Sequence, residues 1–172
     1  MSELSNAIST EEGHEAFIQG VLKTAQECMK ADGHVAPLAI LFGTINPESG
    51  ENHHCIHYVD LRQAFKNKDE SSVLLKTLAE KTRAICMAFI SEAWHVRTSD
   101  PTRVERMVDL ELHPDRTEVV MANFEHTKFG MRHYIAEIQE TEGKRCMSDF
   151  KQAHPQQATG RFVRLLPEFR SN

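Results

Sequence analysis

Residues 84–96, Ala-Ile-Cys-Met-Ala-Phe-Ile-Ser-Glu-Ala-Trp-His-Val, form the most apolar stretch of the chain and constrain its fold most. Their periodicity suits either a helix or a strand. The β-branched and aromatic content, and the Thr-Ser-Asp-Pro turn that follows, select a strand. The architecture is therefore built around this segment as the central ribbon of a sheet.

The flanking segments supply its neighbours. Ser9 and Glu12 match the S-x-x-E capping box, in which each side chain satisfies a free backbone N–H at a helix start. Phe17, Val21, Leu22, Ala25 and Met29 then recur at spacings of three and four, which predicts a helix over residues 11–31 ending at Asp32-Gly33. Leu38 to Phe42 is a short apolar run closed by Asn-Pro-Glu-Ser-Gly, read as a buried strand with residues 54–60 as its hairpin partner. Asp69 is the expected cap of a second helix over residues 70–82, with Val73, Leu74, Leu75, Leu78 and Ala79 as its apolar side. Residues 100–116 read as a polar connector. Residues 118–125 and 131–138 read as antiparallel strands joined near 126–130, and Glu142-Gly143-Lys144 as a turn. Residues 151–160 look polar and irregular, and residues 162–166 look like a last short strand.

Sequential strands joined by short turns predict an α+β fold: a mainly antiparallel sheet of five or six strands with two helices packed on one face. The 172 residues fit a single domain spanning 1–172, with residues 1–10 and 167–172 expected to be flexible. Composition is ordinary for a globular protein, with 40% hydrophobic and 26% charged residues, so low-complexity and strongly disordered classes are excluded. No run approaches the roughly 20 apolar residues that span a bilayer, and the polar, acidic start lacks signal-peptide character. Cys28, Cys55, Cys86 and Cys146 are far apart and form no CxxC pair, which favours free thiols and a cytoplasmic setting.

Three constellations carry candidate chemistry. In Asn52-His53-His54-Cys55-Ile56-His57, a strand would project His53, Cys55 and His57 to one side, and imidazole and thiolate are good zinc ligands. A fourth ligand, His95 or His133 by residue type, would have to come from elsewhere. Set against this is a plain hairpin strand whose histidines meet solvent and whose Cys55 is a small buried hydrophobe. Ser91, Glu92 and His95 hold the ingredients of nucleophilic catalysis. On a strand, however, Ser91 and His95 lie about 13 Å apart, far beyond hydrogen-bond reach, so no dyad is expected. The third is His113-Pro114-Asp115-Arg116-Thr117-Glu118, whose His, Asp and Glu could serve acid–base chemistry or bind a hard cation, set against a solvated turn entering a strand.

Arg161 and Arg164 beside Phe162 have the ingredients of a nucleic-acid contact. A net charge of -5 argues against one, and charged residues that block edge pairing explain them equally. Phosphate-loop, dinucleotide-fold, zincin and EF-hand motifs do not occur. The reading that follows is a small non-enzymatic binding or assembly protein acting through a sheet face or edge, needing no cofactor. Its expected partner is a second copy, a homodimer by default, or another protein. The alternative is a zinc-dependent hydrolase with His53, Cys55 and His57 as ligands and Glu92 as base. A small-ligand sensor with a pocket between helix and sheet rests on general architecture alone.

Overall fold

The computed structural model describes residues 8–45, 53–63, 66–96, 113–153 and 162–169. Among the described residues two helices, α1 (Glu11–Asp32) and α2 (Lys68–Lys81), accompany seven strands: β1 (Leu38–Ile45), β2 (His53–Asp60), β3 (Cys86–His95), β4 (Thr117–His126), β5 (Gly130–Thr141), β6 (Lys144–Met147) and β7 (Lys151–Ala153). The sheet order is β2-β1-β3-β4-β5-β6, with β7 also pairing with β5. Every described pairing is antiparallel. The class is therefore α+β, and the apolar segment ending at Trp94 is an interior strand, as its composition predicts. None of the described helices is long and apolar enough to cross a membrane.

The helices do not share a face of the sheet. Side chains on a strand alternate between faces. In β3, Ala88 and Ile90 join Ile18, Val21, Leu22, Ala25 and Met29 of α1, while Met87 and Phe89 join Leu75 and Ala79 of α2. The expectation of one covered face fails because β3 is apolar at odd and even positions alike, and both sides must be removed from water. Burying each large aliphatic side chain of α1 contributes about 1.5–3 kcal/mol. Phe124 anchors this side, edge-on to Phe17 at 6.1 Å and to Tyr134 at 5.7 Å between ring centroids.

The helix ends follow capping chemistry, displaced slightly from expectation. Thr10, not Ser9, caps α1: its backbone is extended and its Oγ1 accepts from the Gly13 N–H at 3.1 Å. Gly33 closes the helix in the left-handed region at φ 69° and donates its N–H to the Met29 carbonyl. Asn67, rather than Asp69, caps α2 by accepting from the Asp69 and Glu70 N–H groups. Only part of the expected apolar side of α2 is inward. Leu75 and Ala79 are buried with Ser71 and Ser72, whereas Val73 and Leu74 are exposed at 62% and 42%. The C-terminal end of α2 lies against β1 at Gly43, where a Cβ would come within 2.6 Å of the Thr82 carbonyl oxygen.

The α2 helix covers only part of its face. Residues 162–169 also pack on it, and they form turns and one 3-10 turn, Pro167–Phe169, where a strand was expected over 162–166. Their main chain bonds to side chains instead of to a ladder. The buried Glu125 carboxylate accepts from the Leu165 N–H at 2.9 Å and the Leu166 N–H at 2.7 Å. The Asn123 amide donates to the Phe162 carbonyl at 3.0 Å. Phe162 itself stacks on Phe89 with centroids 4.2 Å apart. Residues 151–153, read as irregular, are the short strand β7. The expected turn at 46–50 and most of the 100–116 connector lie outside the described residues.

Candidate functional site

The densest candidate constellation sits on β2, an edge of the sheet. In the β1–β2 register, Cys55 stands opposite Gly43, His57 opposite Leu41 and Val59 opposite Ala39. Leu41 and Ala39 belong to the α2 side, so Cys55 and His57 project there. Ile56 packs toward the α1 side, and Tyr58, opposite Ile40, shares that side but is 69% exposed. Cys55 and His57 meet: Sγ lies 2.9 Å from Nε2. Burial pushes the Cys55 thiol above its ordinary range. The backbone of His53 occupies the third alternate position of the same strand, and its side chain lies outside the described set. Among the described residues, no three metal-ligating side chains cluster in one chain.

The other residues considered for this site lie elsewhere. His133 is on β5, four strands from β2 and so about 19 Å across the sheet. It is buried, with Nδ1 2.6 Å from Asn123 Oδ1 and no partner for Nε2 among the described residues. His95 lies at the far end of β3, which runs alongside β1 only as far as Ile90. Glu92 shares the α1 side with Ile90, the opposite side from Cys55. Its carboxylate is committed: Oε1 accepts from the Val35 N–H at 2.8 Å, and Arg145 reaches Oε1 at 3.3 Å and Oε2 at 3.0 Å. Arg145 also binds Glu118 at 2.7 Å and the Gly33 carbonyl at 2.8 Å. Glu92 is thus a structural anchor joining α1, β3, β4 and β6, and no base for a metal-bound water at β2.

Ser91 and His95 are four residues apart on an extended strand, so they form no dyad. Ser91, Glu92, Arg62 and Lys66 line an open cleft of about 400 Å³ beside the segment 34–37. The segment from His113 is a turn, with the Asp115 N–H donating to His113 Nδ1. The guanidinium of Arg116 lies 4.7 Å over the half-buried Trp94 ring. Phe162 is buried against Phe89, which removes the stacking surface that a nucleic-acid reading of the C-terminal region required.

A feature that sequence reasoning missed is a buried histidine pair beneath the start of α1. His126 accepts at Nδ1 from the Lys128 and Phe129 N–H groups, and its Nε2 lies 3.2 Å from the Ile8 carbonyl. Only the neutral tautomer protonated at Nε2 satisfies all three contacts. His14, fully buried, packs 4.8 Å from His126 and stacks on Phe129, and neither ring nitrogen has a hydrogen-bond partner among the described residues. Burial, then the neighbouring His126 and Arg132, push His14 down to about 4. Both positions fall where the sequence pattern predicts element ends, and no local signal marks them as partners.

No protein-family model matches this chain, and no curated protein or solved structure is significantly similar to it.

Proposed function

We propose that this protein is a non-enzymatic assembly module that pairs through β2, an edge strand among the described residues, with a second copy of itself. The observation that carries the reading is the contrast between the two sides of the sheet. On the far side, β5 is covered by β6 along residues 138–141 and by β7 along residues 133–135. Between them, Ser148 donates its N–H to the Glu137 carbonyl and accepts the Glu137 N–H on Oγ. β2, eight residues long, pairs only with β1 among the described strands. It carries no Pro, Lys or Arg, the usual devices that block edge pairing. Its one carboxylate, Asp60, is held by Arg62 of the same chain.

Self-pairing of such an edge is isologous and closes as a dimer. It would give the outward backbone groups of β2 hydrogen-bonding partners and cover the exposed Tyr58. The four free thiols fit a reducing, cytoplasmic setting. Sedimentation equilibrium of the full chain at micromolar concentration tests the reading. The expected result is a dimer that Tyr58→Lys weakens at least about tenfold, since a charge on an edge strand opposes pairing. A monomer at every concentration sinks it.

A further inference from the structure

We infer that Cys55 and His57 of two copies together form a tetrahedral zinc site on the two-fold axis of the β2 edge pair. This inference rests on the edge reading above and adds the register and the ligand. The proposal starts from the convergence of Cys55 Sγ and His57 Nε2, 2.9 Å apart. In a tetrahedral zinc site, bonds of about 2.3 Å to sulfur and about 2.0 Å to nitrogen set the two donors about 3.5 Å apart, so this hydrogen-bonded pair opens by roughly 0.6 Å to admit the metal. One chain supplies two donors at this point and no third among its described residues. Among the described residues the site is incomplete without another copy.

Symmetry restricts how two β2 strands can meet. Antiparallel edges joined in one continuous sheet are related by a two-fold axis perpendicular to that sheet, so opposed residues must project to the same side. Registers centred on a residue satisfy this, and registers centred between residues do not. Centring on Ile56 places Cys55 directly across from the partner's His57, and His57 across from the partner's Cys55. Directly opposed Cβ atoms are about 5 Å apart, and alternate residues along a strand about 7 Å apart. Four side chains, two thiolates and two imidazoles, then surround one point on the α2 side. This is the closed donor set of a structural zinc site. The same register brings the half-buried Ile56 side chains together on the α1 side, with Tyr58 lying diagonally over the partner's Ile56. The two Cys55 Cα atoms would stand about 8 Å apart on the diagonal, too far for a disulfide.

On zinc binding, each Cys55 thiol loses its proton to solvent and coordinates as thiolate, while each His57 coordinates as neutral imidazole through Nε2. Two protons are released per metal, with no change in oxidation state. A site closed by four protein ligands leaves no open position for substrate water, so this zinc holds the assembly together and does not hydrolyse.

The test uses the full chain purified without a histidine tag. Sedimentation equilibrium is run with zinc sulfate and with EDTA, alongside elemental analysis and cobalt substitution. The expected result is one zinc per two chains, a dimer tightened about 100-fold by the metal, and cobalt spectra showing tetrahedral geometry with thiolate charge transfer. Cys55→Ser and His57→Ala should each abolish the metal effect while leaving the monomer folded by circular dichroism. A dimer that holds no metal and ignores EDTA overturns the zinc site and leaves the edge reading intact. One zinc per monomeric chain overturns the shared site. A monomer with and without zinc overturns both. Metal-dependent dimerisation that survives both substitutions assigns the metal to other residues and overturns this site.

Discussion

The two outer sides of the sheet face the same chemical problem and resolve it differently. A terminal strand exposes a row of unpaired N–H and C=O groups. Beside β5 the chain folds back twice, so β6, Ser148 and β7 take up that row in turn. Lys144, Arg145 and Lys151 place positive charge on the covering strands. Beside β2 there is no such cover among the described residues, and the side chains are His, Cys, Ile, Tyr and Val, closing with Asp60. Along residues 133–141 the β5 edge is covered in turn, while β2 pairs only with β1 among the described strands. Exposed apolar area alone would not have separated them, since Val73 and Leu74 on α2 are exposed as well.

The largest expected effect separates interior stability from edge behaviour by pH. His14 binds a proton readily when unfolded, near 6.5, but only near 4 when folded. Between those values the unfolded chain binds more protons. Stability is therefore full above about pH 6.5 and falls as pH drops toward 4, by about 3 kcal/mol in all. Urea titrations of the Tyr58→Lys variant, at a concentration where it sediments as a monomer, should show the loss across this range, and His14→Phe should remove most of it. An unchanged pH slope in His14→Phe would place the acid sensitivity elsewhere.

Next in size is the guard itself. Arg145→Met leaves the half-buried Glu92 and Glu118 carboxylates without their shared cation and should cost about 2 kcal/mol. Hydrogen exchange should quicken in β6 before it does in β1. Ser148→Ala removes the acceptor of the Glu137 N–H and should cost about 1 kcal/mol, read by the same method. The smallest effect belongs to the bare edge: Tyr58→Lys should change monomer unfolding by less than about 0.5 kcal/mol. If it destabilises the monomer by more, β2 is part of the core and the contrast between the edges weakens.

What was legible in the sequence was what depends on local pattern. The hairpin of β1 and β2 follows from two short apolar runs around a turn, and the shared side of Cys55 and His57 from strand periodicity. The placement of α2 opposite α1 was also legible, since Met87 and Phe89 interleave with Ala88 and Ile90. An expectation of one covered face overlooked that signal. Residues 162–166 were beyond local reading. Their apolar pattern suggests a strand, but their N–H groups go to Glu125, which lies forty residues from Leu165 in the chain. β7, Lys-Gln-Ala, has no apolar pattern to betray it. The caps slipped by one or two positions because Ser9 stands next to Thr10, and Asp69 next but one to Asn67, each chemically competent to cap.

The hold of Glu125 on Leu165 and Leu166 has a consequence for synthesis. The ribosome completes β4 long before it makes the donors that this carboxylate requires. Until Leu166 clears the exit tunnel, the α2 side of the nascent sheet carries an acid with no main-chain donors from this segment and a bare Phe89 ring. This stretch, made forty residues after Glu125, therefore closes the α2 side only after β4 has been made.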